Sequence, residues 1–151
     1  MNRQEDSHRA FRALLEAMAH PGRWMPTPAH EASAAVELLT FAAWGGDSYV
    51  TFSDSGNAAT ALADAHPGTE DEPELSTTLV LKSDDVSATE VSIGGPGIRE
   101  MFVTTIPIDA AAIRMRRDLC AHFPRGVDLV FIDRNGRVMG LPRTTVVQER
   151  S

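Results

Sequence analysis

The chain has 151 residues, 42% of them apolar and 23% charged, a balance expected of a soluble globular protein folded as a single domain over 1–151. Its net charge of −7 opposes nonspecific nucleic-acid binding, which calls for a basic face. No apolar run approaches the roughly 18 residues of a membrane span.

The N-terminal MNRQEDSHRAFR is polar and carries acids, so it does not read as a signal peptide. Phe11, Leu14, Leu15 and Met18 fall at i, i+3, i+4, i+7 and predict an amphipathic helix, with Ser7 as its N-cap and Pro21-Gly22 as its stop. Pro26 and Pro28 hold an extended linker. A second helix is expected over 31–44, with Ala35, Leu38, Leu39 and Ala42 on one face and Gly45-Gly46 at its end. A short strand over 49–52 leads into the turn 53–57. Asn57 is placed to cap a short alanine-rich helix over 58–66, which Pro67-Gly68 closes. The acidic stretch TEDEPE (69–74) is a loop. The run TTLVL predicts a strand over 77–82.

Short strands over 91–93 and 101–105 flank the glycine-rich SIGGPGIRE. Asp109 caps a helix running to about 122, with Ile108, Ala112, Met115 and Leu119 on its buried side and Arg114 and Arg117 on another face. Phe123-Pro124 breaks it. In VDLVFIDRNGRVMGL, two β runs flank Asn135-Gly136, the preferred pair for a two-residue type I′ hairpin turn. The nearly continuous apolar run 127–132 places this strand centrally, covered on both faces. These elements predict an α/β fold with a mixed sheet between helices and the 127–141 hairpin inside it.

The chemical motifs are sparse. The glycine turn lacks the GxxxxGK[ST] string of a P-loop. As a dinucleotide fingerprint, Gly95 and Gly97 give the first pair, but Glu100 stands at the third position and a strand follows instead of a helix. Pro96 also removes a backbone donor. Gly95, Pro96 and Gly97 therefore read as a structural turn with glycines at positive φ. The five histidines show no HxH or HExxH spacing, and the acids at 70–74 do not follow the EF-hand pattern, so no metal site is assigned. Ser55 precedes Gly56 without a GxSxG elbow. Cys120 is the sole cysteine. It excludes an internal disulfide, suits a reducing cytoplasm, and sits in a helix as a small packing residue. Lys82 is the sole lysine among thirteen arginines and lies at a strand end. No catalytic residue and no cofactor is assigned.

Two arginines stand out. Arg125 lies in the FPRG turn before the central strand, and Arg143 in LPRTT after the hairpin. Pairing of the hairpin returns both to one end of the sheet, beside the hydroxyls of Thr144 and Thr145. Arg125, Arg143 and Thr144 are thus candidates to hold an anion or an acidic partner surface. The alternative is that each arginine ties down a loop by bonding to backbone carbonyls.

Five stretches occur in a recognisable order: FRALLEAMAHPGR (11–23), HPGTEDEPELSTTLVL (66–81), GGPGI (94–98), FPRGVDLVFI (123–132) and GRVMGLPRTT (136–145). Together they resemble the PhnH family, the H subunit of the bacterial carbon–phosphorus lyase system, from about Phe11 to Val147. The resemblance implies a three-layer α/β fold similar to PLP-dependent transferases but without the PLP site. It implies a cytoplasmic, noncatalytic or co-catalytic subunit with no established active site of its own, homodimeric alone, that joins the G, I and J subunits. That complex supports the ATP-dependent formation of ribose 1-phosphonate 5-triphosphate in phosphonate utilisation. The chain departs from the family between Pro26 and His66, where it is compressed, with 44–65 matching poorly. Two other readings remain open: an enzyme holding a phosphonate or nucleotide phosphate with Arg125 and Arg143, and a stand-alone homodimeric interaction protein.

Overall fold

A computed structural model of the chain describes residues 3–43, 49–83 and 88–150. Helix α1 (Arg3–Ala19) is followed by α2 (Ala32–Ala43), strand β1 (Val50–Asp54), a 3-10 turn (Ser55–Asn57) and the short helix α3 (Ala58–Ala63). A second 3-10 turn (Pro73–Leu75) leads into β2 (Thr78–Lys82). The antiparallel pair β3 (Thr89–Gly94) and β4 (Phe102–Ile106) precedes α4 (Ala110–Leu119). The hairpin β5 (Asp128–Ile132) and β6 (Val138–Leu141) and the strand β7 (Val146–Glu149) complete the order.

The strands form two sheets. One is mixed, in the order β1-β2-β5-β6, with the first three strands parallel and β6 antiparallel. The other is antiparallel, in the order β4-β3-β7. The expected mixed sheet and its hairpin are thus present, while the strands around the glycine turn belong to the separate small sheet. A strand run of alternating burial can pair within either sheet, so sequence pattern does not assign it.

β5 explains why the mixed sheet is central. Its Leu129, Val130, Phe131 and Ile132 are all almost fully buried, and successive side chains point to opposite faces. Leu129 and Phe131 join a core with α3, α4 and the small sheet, whereas Val130 and Ile132 join a second core with α1 and α2. The fold is therefore layered as α1/α2, mixed sheet, and α3/α4 with the small sheet. On the outer side of β6, residues 24–26 run alongside. Met25 N donates to Val138 O at 2.7 Å and Val138 N to Met25 O at 2.9 Å, which covers that sheet edge.

Several local expectations are corrected. Ser7 is not an N-cap: it lies inside α1 and is buried. The inward face of α1 is Ala10, Ala13, Leu14 and Ala17, while Phe11 and Leu15 face outward, 37% and 53% exposed. The small face is imposed by close approach: a Cβ on Gly140 of β6 would lie 2.7 Å from Ala17 O. The hairpin turn is not a two-residue type I′ turn. Register pairs Ile132 with Val138, Asp133 N donates to Arg137 O, and Gly136 N donates to Asp133 O. That makes a three-residue loop with Gly136 at φ 85°, the hairpin class closed by a G1 bulge. Asp133 stabilises it by accepting from the N–H groups of Asn135 and Arg137 at 3.0 and 2.8 Å and from Arg137 Nε. Asn57 makes no side-chain cap bond to α3, and α3 ends at Ala63 rather than His66. In α4 the fully buried positions are Ala112, Ile113 and Arg116, and Met115 and Leu119 are only partly buried. Asp109 does cap α4, its Oδ1 accepting from Ala112 N at 2.9 Å. The predicted stop at Gly45-Gly46 lies outside the described residues.

Candidate functional site

The glycine turn joins β3 to β4, with Gly95 at φ 113° and Gly97 at φ 82°, as a structural turn requires. Its glycines also allow two close approaches. A Cβ on Gly97 would sit 2.3 Å from Ala19 O at the end of α1, and one on Gly95 would sit 2.9 Å from Thr144 O. The 94–98 turn is therefore seated against the AHPG end of α1 on one side and the PRTT turn on the other.

The remaining motifs meet at the amino ends of β2 and β5, and Arg143 joins them. Its Nε and Nη2 donate to the Asp128 carboxylate at 3.3 and 3.1 Å. Its Nη1 donates to Pro73 O at 3.1 Å and to Pro124 O at 3.2 Å. Nη2 also donates to Ser76 Oγ, and the Arg143 backbone N–H reaches Asp128 Oδ1 at 2.8 Å. A guanidinium has five N–H donors, so the whole fork is occupied. Both ends of the ion pair are mostly buried, 17% exposed for Arg143 and 23% for Asp128. Gly126 N donates to Pro67 O at 2.8 Å, and His66 Nδ1 accepts from Gly68 N at 3.0 Å. One arginine thus fastens the PELS, FPRG and LPRT stretches together.

Arg125 is half-buried, and its Nε has no hydrogen-bond partner. It occupies the same loop as Pro124 but does not line the cleft that receives Arg143 and Thr144. That cleft, of about 560 Å³, runs between α4 and β7 and is bounded by Pro96 of the glycine turn and by Phe123.

Arg116 of α4, which sequence pattern did not single out, forms part of the cleft wall. It is only 2% exposed. Its Nη2 donates to Pro142 O at 2.8 Å and to Thr145 O at 2.9 Å, which holds the turn between β6 and β7. Burial pushes its pKa below the usual arginine value, against the opposing pull of Cys120 and Asp128. Cys120 is half-buried, with Sγ 3.7 Å from Val127 O. The signal for Arg116 was its spacing: it stands three residues after Ile113 and four after Ala112, on their buried face. Asp128, also unremarked, was signalled by an acid opening an otherwise apolar central strand, which demands a partner.

The molecule is thus an α/β scaffold whose distant loops are fastened at one end of a mixed sheet by buried arginine, with a cleft beside them. The family model for the bacterial phosphonate metabolism protein (PhnH) matches residues 45–148, and the chain belongs to that family. The match takes in 45–65, the stretch expected from its motifs to agree least. A curated relative, HtxG of Stutzerimonas stutzeri, assigned as a C–P lyase subunit, is 29% identical over 165 residues, covering 90% of this chain and 83% of that protein.

Proposed function

We propose that this chain is a subunit of a carbon–phosphorus lyase complex in bacterial phosphonate utilisation. The observation that carries the proposal is the family match over 45–148, supported by the relative assigned as a C–P lyase subunit. In this reading the chain joins the G, I and J subunits and helps the complex form ribose 1-phosphonate 5-triphosphate from ATP. Its own part is scaffolding: the residues of the shared motifs hold the shape of a surface.

The geometry of Arg143 favours that role over an enzyme that grips phosphate with Arg125 and Arg143. A phosphate at Arg143 would have to displace Asp128, Ser76 and two carbonyls from a filled fork. Arg125 lies outside that fork, half-buried and with its Nε sealed from solvent. Alone, the subunit pairs with a second copy. Co-expression of the tagged chain with the G, I and J subunits tests the assignment. Stoichiometric recovery of all four on one column is the expected result. Recovery of the tagged chain only, with the other three assembled without it, would overturn the reading.

A further inference from the structure

Strands β1, β4, β6 and β7 stand at sheet edges, and β4 alone among them is both open and uncharged. β6 is covered by the Met25 bridge, and β7 runs beside α4 with its Val147 only 5% exposed. β1 carries Asp54, a charge of the kind that blunts an edge. In contrast, 101–106 reads MFVTTI. It holds no charge and no proline, the usual guards of a free edge, and β4 itself consists wholly of strand-forming residues.

The register decides which backbone groups are open. Arg150 N donates to Glu90 O at 3.4 Å, which continues the ladder between β3 and β7. Glu90, Ser92 and Gly94 thus turn their backbone groups toward β7, and Thr89, Val91 and Ile93 turn theirs toward β4. Opposite the latter stand Ile106, Thr104 and Phe102. Met101, Val103 and Thr105 therefore point their N–H and C=O groups away from the sheet, and no backbone partner for them is present among the described residues. They are also the exposed residues of the stretch, Met101 at 54% and Val103 at 47%. Clefts of about 570 and 590 Å³ open beside the two ends of the strand, at Met101–Phe102 and at Thr105, so there is room alongside it.

We propose that β4 is a strand-addition edge and that its occupant is β4 of a second copy, laid antiparallel about a two-fold axis through Val103. Two three-stranded sheets then become one of six strands. Val103 exchanges both backbone bonds with the partner's Val103, Met101 with the partner's Thr105, and Thr105 with the partner's Met101. Every open group of the edge is satisfied. A shift toward the C-terminal end would set Met101 against the partner's Pro107, which has no N–H.

Self-complementarity selects the second copy. A two-fold axis makes each outward residue meet an outward residue with no foreign sequence required. Charge agrees: a chain of −7 repels its own copy through most of its surface, and the neutral stretch 101–106 does not. In this register Arg99 and Glu100 fall opposite the partner's Pro107 and Ile106, so no like charges meet. The side chains of Val103 and Met101 cover those of the partner's Val103 and Thr105 on the outer face. The inference rests on the self-pairing named under the proposed function and gives it a place; it is tested on the chain alone, so the subunit assignment can fail separately.

Sedimentation equilibrium of the purified chain between about 1 and 200 μM, the range in which a small interface dissociates, is expected to show a monomer–dimer exchange. Val103→Pro removes an N–H that the fold of the single chain does not use, as proline is tolerated on the outer side of an edge strand. It deletes two bonds per dimer and is expected to raise the dissociation constant at least about tenfold. Thr105→Lys, an exposed change that leaves every backbone group in place, is expected to do the same through the charge it sets on the edge. Thr51→Lys puts the same charge on exposed β1 and is expected to leave the constant unchanged. In a Cys120→Ser background, Val103→Cys is expected to form a disulfide between copies on mild oxidation, since facing residues of such a pair lie about 5.5 Å apart at Cα, within disulfide reach. A chain that stays monomeric at the highest concentration overturns the proposal together with the self-pairing it rests on. A dimer whose constant is the same in both β4 variants overturns the proposal alone, and so does a dimer weakened equally by Thr51→Lys.

Discussion

Arg143 shows how much of the molecule one side chain can hold. Its guanidinium bridges Asp128 at the start of β5, two proline carbonyls from separate loops, and Ser76 before β2. Lysine keeps the charge but has three rotatable donors and no planar fork, so it cannot span four partners. Arg143→Lys is expected to destabilise the chain by about 2–4 kcal/mol, because carbonyls and a carboxylate that stay mostly buried lose donors. Urea denaturation of the two proteins checks this, and a difference below about 0.5 kcal/mol, the scale of an ordinary surface change, would refute it. The sequence singled out Arg143 by its place in LPRTT just after the hairpin, and it offered two uses for it, an anion or backbone carbonyls. Nothing in the local pattern could decide, since the deciding partners Pro73 and Ser76 lie 70 and 67 residues away. Arg116 was missed for the opposite reason: its helical spacing marked it as buried, and its charge argued that it could not be.

At the scale of elements, glycine positions separate contacts that must stay tight from those that can give. On Gly140 of β6 an added Cβ would lie 2.6 Å from Met18 Sδ and 2.7 Å from Ala17 O. The helix backbone cannot retreat locally, so α1 as a whole must lift from the sheet. On Gly94 of β3 the nearest atom is the terminal methyl of Met101 at 3.2 Å, which can swing away. Gly140→Ala is therefore expected to cost about 1–3 kcal/mol, as overpacking does, and Gly94→Ala about 0.5 kcal/mol or less, typical where nothing rigid is displaced. The order of the two denaturation midpoints is the measurement, and equal midpoints would refute the argument. The same contact explains the misread face of α1. Hydrophobic periodicity gives weight to Phe11 and Leu15, yet the face that meets β6 had to be small, and alanine carries little signal. Strands and helices with strong patterns, such as β5, β2 and α4, were legible. The division of the strands into two sheets was not, because pairing between β3 and β7 joins residues more than 50 positions apart.

At the scale of the whole molecule, the motifs scattered from 11 to 145 have mostly converged on one end, where they brace one another. This convergence could be read from sequence only as an ordered set, whose meaning came from resemblance; the distances came from the fold. Two motif residues are not absorbed by that bracing. Phe11 and Leu15 stand one turn apart on the outer face of α1, 37% and 53% exposed, and neighbours at i and i+4 make a continuous apolar strip. A subunit that works by contact is expected to use such a strip. Phe11→Glu with Leu15→Lys replaces it by an ion pair of favourable order, so α1 keeps its helix support and the net charge stays at −7. The double variant is expected to unfold within about 1 kcal/mol of the parent, since exposed positions contribute little to stability. Its recovery with the co-expressed G, I and J subunits is expected to fall about tenfold or more, as when a contact worth about 1.4 kcal/mol is lost. Quantitative pull-down at matched expression measures it. Undiminished recovery by a folded variant would place the partner surface elsewhere on the molecule, while a parallel loss of stability would show that the strip serves the fold and not the complex.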